Sequence, residues 1–306
     1  MGSLKGRDLI SINDFADSEV QSVLETAAEM EEAKHRPTTL CQGKVLATLF
    51  FEPSTRTQFS FQTAMLRLGG SAIGFSDTSG TSVAKGETLQ DTIRIIDGYA
   101  DVIAMRHSQP NSLSLAAEYA SIPVISGGEG KGEHPTQTLL DLYTIKKELG
   151  RLDVNIGFYG DLKYGRTVHS LIMGASRFGA NFYCIAPPSL QMPGEYVKKA
   201  EAKGSRVEFC ENVSQIAGNL DVLYVTRLQK ERLSPQDDYQ KLKSLYHVDN
   251  SLLSKMKPKS IVMHPLPRIG EIEESVDGDL RAAYFRQAAN GVPVRMALIA
   301  LLLGAK

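Results

Sequence analysis

The residues best suited to chemistry concentrate in one short segment, Phe51-Glu52-Pro53-Ser54-Thr55-Arg56-Thr57-Gln58. Its hydroxyls and guanidinium stand between an apolar run over 45–51, which reads as a buried strand, and a run with Phe61, Ala64, Met65 and Leu68 at helical spacing. Ser54, Thr55, Arg56 and Thr57 therefore sit at a strand-to-helix turn. Backbone N–H groups and the helix dipole at such a turn favour an anion. The hydroxyls add donors, and Arg adds a two-pronged fork matched to phosphate. A plain N-cap would use the same Ser and Thr, so the segment alone leaves both readings open.

Strand-like runs recur at 72–75, 102–105 and 123–125, then at 155–159, 182–186, 207–209, 222–225 and 261–263, with helical patterns between them. Such alternation predicts parallel sheets covered on both faces, an α/β fold. At 306 residues the chain is long enough for two domains. Their boundary is expected near Gly150, because a long helix opening near Pro135 ends there. The first domain spans 1–149 and is completed by a C-terminal helix at about 291–306; the second spans 150–290. Two polar or charged loops, 76–86 and 228–238, have the length of lids or binding loops, or of simple solvated connections.

Ligands of open α/β sheets bind beyond the carboxyl ends of the strands. Arg56, Arg106, Arg166 and Arg227 each follow an expected strand at or within a few residues of its end, and Arg268 lies slightly farther on. Formal net charge is −1, so this positive charge belongs to a local cleft and not to a surface that recruits nucleic acid. Arg56 and Arg106 fall in the first domain, Arg166 and Arg227 in the second. The pattern suits small substrates with several negative charges, one anion held by each domain and the reaction between them.

Other chemistries find little support. No GxxxxGK[ST] is present, and the glycine-rich run 127–132 contains no GxGxxG that opens a helix. No HExxH or cysteine cluster points to zinc, and neither a metal nor an organic cofactor is expected. Cys41, Cys184 and Cys210 are far apart, which fits a reducing cytoplasm. Residues 1–8 lack the apolar stretch of a signal peptide. The longest apolar run, 296–303, is far shorter than the ~20 residues that span a bilayer, so no membrane association is expected. Among the histidines, His134 stands out beside a helix start, whereas His264, before Pro265 and Pro267, reads as a residue that holds a turn.

Taken together, the chain resembles the aspartate carbamoyltransferase family, in its catalytic subunits. The matching elements are Phe51-Glu52-Pro53-Ser54-Thr55-Arg56-Thr57, Thr81-Ser82 with Lys85-Gly86-Glu87-Thr88, Met105-Arg106-His107, His134-Pro135-Thr136-Gln137, Gly160-Asp161-Leu162-Lys163-Tyr164-Gly165-Arg166-Thr167, Thr226-Arg227-Leu228-Gln229-Lys230-Glu231-Arg232 and His264-Pro265-Leu266-Pro267-Arg268. The first and fourth would also allow an ornithine carbamoyltransferase. Arg227 and Gln229 suit a dicarboxylate, and Pro265 stands where ornithine enzymes typically carry cysteine. One departure is the loop after Thr81, with a single Lys where some members have two.

The resemblance implies two doubly wound parallel-sheet domains, a carbamoyl-phosphate domain and an aspartate domain, joined by interdomain helices. It implies transfer of a carbamoyl group from carbamoyl phosphate to L-aspartate, the committed step of de novo pyrimidine biosynthesis. Ser54, Thr55, Arg56 and Thr57 would hold the phosphate, with Arg106 bridging to it. Arg106, His134 and Thr57 would point donors at the carbonyl oxygen, and Gln137 would hold the carbamoyl amide. Arg166, Arg227 and Gln229 would bind the carboxylates of aspartate, and the Leu266 carbonyl and Pro267 would orient the amines. Ser82 and Lys85 would reach into a neighbouring subunit's site, making the unit a homotrimer with shared active sites. Glu52, Arg166 and Arg232 would pair on closure. Separate regulatory chains would be an addition to this unit. The open alternatives are a carbamoyltransferase for another amino acid such as ornithine, and a binding homologue without turnover.

Overall fold

The computed structural model describes residues 3–33, 36, 38–130, 132–229 and 246–306. The chain divides into two compact units, residues 1–143 with 290–306 and residues 144–289.

The first unit contains α1 (Asp17–Ala33), β1 (Val45–Phe50), α2 (Thr55–Arg67), β2 (Ser71–Phe75), α3 (Leu89–Asp97), β3 (Val102–His107), α4 (Ser112–Tyr119) and β4 (Val124–Glu129). Its four strands pair in parallel in the order β2-β1-β3-β4. β1 and β3 are near-continuous apolar runs, buried almost throughout, as strands covered on both faces must be. Ala47, Leu49, Ile103 and Met105 pack with Ile93 of α3 and Leu113 of α4. Then α5 (Pro135–Leu149) opens on proline and closes on Gly150, whose φ of +76° suits the left-handed turn after a helix.

The second unit contains β5 (Asn155–Tyr159), α6 (Arg166–Ala175), β6 (Asn181–Ile185), α7 (Gly194–Glu201), β7 (Val207–Cys210), α8 (Val213–Ile216), β8 (Val222–Val225), α9 (Asn250–Lys255) and β9 (Ile261–Met263). These strands are also all parallel, in the order β7-β6-β5-β8-β9. Phe158 stacks on Phe182 at 5.6 Å and meets Tyr224 edge-on at 6.0 Å, which locks the centre of this sheet. A final helix, α10 (Tyr284–Leu303), ends the chain. The division between the units falls inside α5 and inside α10.

Three expectations change. The C-terminal helix begins at Tyr284, well before residue 291, and runs through Pro293. A proline inside a helix costs about 3 kcal/mol or more. Val294, Met296, Leu298 and Ile299 are fully buried, so packing offsets that cost. The fourth strand does not stop at 125 but continues to Glu129. Ser82–Lys85, inside the expected loop 76–86, forms a 3-10 turn closed by Gly86 at φ +96°. Of the second loop, residues 230–238 lie outside the described residues, as does Arg232. Among the described residues no helix is long and apolar enough to cross a membrane.

Candidate active site

In the first sheet, β1 leads to β2 on one side while β3 lies on the other. The carboxyl ends of β1 and β3 therefore flank a topological switch point, where such sheets bind ligands. Ser54 and Thr57 come from the turn after β1. The Ser54 hydroxyl caps no backbone N–H of α2; it donates to Thr57 Oγ1 at 3.1 Å. The structure thus departs from the plain-cap reading, and the first turn of α2 has no side-chain cap. Thr55 and Arg56 are exposed at the same turn. Partial burial of the guanidinium holds Arg56 below its ordinary pKa.

Arg106 is on β3, paired in register with Phe50 of β1, and only 7% exposed. Its Nη1 donates to the Gly127 carbonyl at 3.1 Å, and its Nη2 lies 3.2 Å from Glu52 Oε2. Both prongs of the fork are anchored, so the cation is preorganised. The register of β3 against β4 shifts at this residue, because β4 has one extra residue between its pairs with Met105 and His107. Such bulges re-aim side chains beside functional sites. Gly127 makes the approach close: a Cβ there would come 3.2 Å from the Met105 carbonyl oxygen and 3.3 Å from the Phe50 ring, tighter than an ordinary contact. His107 is a structural neighbour. Its Nδ1 accepts the Gln109 N–H at 3.0 Å, and burial lowers its pKa against the pull of Glu129 and Glu52.

His134 precedes α5 and is buried; its carbonyl accepts the Gln137 and Thr138 N–H groups at 2.9 and 3.1 Å. Its Nδ1 lies 3.5 Å from Thr136 Oγ1, which accepts from Arg295 Nη2 at 3.3 Å. Arg295 is 2% exposed, and its guanidinium lies 4.8 Å from the Phe61 ring centroid. Burial lowers it to about 10, against the field of Asp141, so it stays a cation at neutral pH. Gln137 Nε2 donates to Asp141 Oδ1 at 2.9 Å, which leaves its Oε1 as the end able to accept an N–H. Ser82 and Lys85 are exposed on their 3-10 turn, and no described hydrogen bond or ion pair ties their side chains to Ser54, Arg106 or His134.

The second sheet repeats the logic. β5 leads to β6 on one side and β8 lies on the other. Arg166 opens α6 beyond β5, while Arg227 and Gln229 follow β8. Asp161, fully buried, joins the two loops: Oδ1 accepts the Tyr164 N–H at 2.9 Å and Oδ2 the Gln229 N–H at 3.3 Å. Arg227 Nη1 reaches the Leu228 carbonyl at 3.3 Å. Gly160 holds φ at +131°, and a Cβ there would overlap the Thr226 carbonyl, so glycine lets these loops approach. Leu266 and Pro267 follow β9, the neighbour of β8, and Leu266 has φ +58°, uncommon for a non-glycine residue. His264 holds this turn, as the prolines that follow it predict: Nδ1 accepts the Leu266 N–H at 2.7 Å.

Reading the sequence by strand ends finds the arginines but misses Asp141, Asp161 and Arg295. Asp161 was legible only as a neighbour of Gly160 in a matched element; the other two carry no local signal. Among the described residues, no group of three or more His, Cys, Asp or Glu side chains is placed to hold a metal ion.

Residues 7–147 match the model of the aspartate/ornithine carbamoyltransferase carbamoyl-P binding domain, and residues 152–302 that of the Asp/Orn binding domain. The aspartate carbamoyltransferase catalytic subunit of Thermococcus gammatolerans is 51% identical over 302 residues, 98% of each chain. The aspartate transcarbamoylase of Trypanosoma cruzi in complex with carbamoyl phosphate superposes with a TM-score of 0.93 at 40% identity, covering 98% of this chain and 97% of that one. The same enzyme in complex with carbamoyl aspartate and phosphate gives a TM-score of 0.90 at 39% identity and the same coverage.

Proposed function

This chain belongs to the aspartate/ornithine carbamoyltransferase family, and we propose that the two arginine-bearing strand edges are its two substrate subsites. It is an enzyme that transfers the carbamoyl group of carbamoyl phosphate to the amine of L-aspartate, giving N-carbamoyl-L-aspartate and phosphate. One observation carries the choice of acceptor. Arg166 and Arg227 follow adjacent strands, and a single buried carboxylate, Asp161, braces their loops. Two cations on neighbouring loops match the two carboxylates of aspartate; ornithine offers one carboxylate and a second cation.

On the donor side, Ser54, Thr55, Arg56 and Thr57 hold the phosphate with the N–H groups of the first turn of α2, and Arg106 bridges phosphate and carbonyl oxygen. The aspartate amine attacks the carbonyl carbon, negative charge gathers on the oxygen, and the C–O bond to phosphate breaks. Arg106, Thr57 and His134 supply donors where that charge develops. Gln137 Oε1 accepts from the carbamoyl NH2, and the Leu266 carbonyl with the turn at Pro267 orients the amines. The amine proton leaves with the departing phosphate, an oxyanion already in place. Arg166, Arg227 and Gln229 hold aspartate, and fixing both partners supplies much of the remaining acceleration.

Ser82 and Lys85 act in trans, in a homotrimer. Their exposure supports this, as does the apolar edge of the first unit. Phe59 and Leu66, one α2 stripe, are 60% and 61% exposed, and Ile73 on the edge strand β2 is 42% exposed. Three free cysteines support a cytoplasmic location.

The acceptor side is tested with Arg227→Ala. Steady-state kinetics are expected to show KM for aspartate rising about 10²-fold, the loss typical of truncating one partner of a charge pair. Inorganic phosphate binding, measured by calorimetry, should stay at the wild-type value. An unchanged KM for aspartate would remove Arg227 from the site.

A further inference from the structure

His264 and Glu271 form a buried pair at the end of β9, 1% and 6% exposed, with His264 Nε2 2.7 Å from Glu271 Oε1. The other ring nitrogen, Nδ1, accepts the Leu266 N–H at 2.7 Å. A ring that accepts an amide proton at Nδ1 carries its own proton on Nε2, so the ring is neutral and donates to the carboxylate. The second oxygen of Glu271 accepts the Ile269 N–H at 2.9 Å, and the His264 N–H donates to Gln287 Oε1 at 2.8 Å. The dyad thus grips the chain between 264 and 271 at two backbone points, the N–H groups of Ile269 and of the left-handed Leu266, while Gln287 holds the His264 N–H. Left-handed backbone at a non-glycine residue persists only where its surroundings over-determine it.

We propose that His264 is a positioning residue for the reaction, its ring steadied by Glu271: by accepting the Leu266 N–H it keeps that peptide in its left-handed conformation and fixes the carbonyl that orients the amine groups. This rests on the role assigned to Leu266 above. Nothing in it requires either side chain to touch substrate. The His264 ring acts on the geometry of attack through its Nδ1 contact with Leu266, and a misplacement of about 1 Å there costs on the order of 10²-fold in rate.

Two variants separate positioning from mere support of the fold. In His264→Asn the side-chain oxygen stands where Nδ1 stood and still accepts the Leu266 N–H, while the bond to Glu271 is lost. In His264→Gln the acceptor stands nearer the Nε2 position, and the Leu266 N–H loses its partner. Both should lower Tm by similar amounts, since both remove the ring from the same buried site. Their kcat values should differ: Asn within about tenfold of wild type, Gln down by about 10²-fold, with phosphate affinity unchanged in both. Equal kcat in the two variants, kcat that follows Tm, or failure of both to fold would overturn the proposal and leave the dyad a structural brace. The wild-type arm keeps the readings apart. Absence of carbamoyl aspartate from the wild-type enzyme would sink the assigned reaction, whatever the variants do.

Discussion

Replacing Arg106 by alanine should lower kcat for carbamoyl transfer by about 10²–10³-fold, the usual consequence of removing one preorganised donor from a developing oxyanion. The reason lies in where β3 ends. Arg106 sits in the wall between the sheet and its switch point, 7% exposed, with its fork fixed on the Gly127 carbonyl and on Glu52. A cation already anchored spends little conformational freedom when charge builds on the carbonyl oxygen. Its loss also leaves the Glu52 carboxylate facing the incoming phosphate. Arg106→Lys should recover little, because a single ammonium cannot span Gly127, Glu52 and substrate as a planar fork does. Steady-state kinetics at saturating aspartate measure both. A loss below tenfold in the alanine variant would mean that Arg106 is structural and that another group stabilises the oxyanion.

The second large effect concerns shared sites. Lys85→Ala and Arg56→Ala chains should each be nearly inactive as homo-oligomers. Mixed in equal amounts, dissociated reversibly and reassembled, they should recover activity. A site is intact only if Arg56 comes from one parent and Lys85 from the other; random cyclic assembly makes this about one quarter of sites. The exposed 3-10 turn Ser82–Lys85 and the apolar stripe of α2 support this arrangement. Recovery near a quarter of wild-type activity is the expected outcome. A mixture no more active than its parents would place the whole site within one chain.

Much of this was legible in the sequence because strand ends announce themselves. Residues 155–159, 222–225 and 261–263 are apolar runs that stop abruptly, and the structure keeps those bounds. The residues that follow them carry the side chains proposed to bind the substrate, so location and chemistry could be read together. What escaped depends on partners distant in sequence. Asp161 meets the Gln229 N–H, and Arg295 meets Thr136, only once the chain is folded. The extension of β4 through Gly127 was hidden because glycine weakens a strand signal, and its close approach to Met105 and Phe50 is visible only in the fold. Pro293 hid the start of α10, since local propensity forbids what burial of the surrounding apolar residues permits.

The central claim is the reaction itself, and it is tested by incubating the wild-type chain with carbamoyl phosphate and either L-aspartate or L-ornithine. The products are identified by mass and by ureido colour. Carbamoyl aspartate with release of phosphate, and no citrulline, is the result expected from paired arginines beyond β5 and β8. Citrulline formation would reassign the acceptor subsite, and no ureido product with either amine would contradict the enzyme reading altogether.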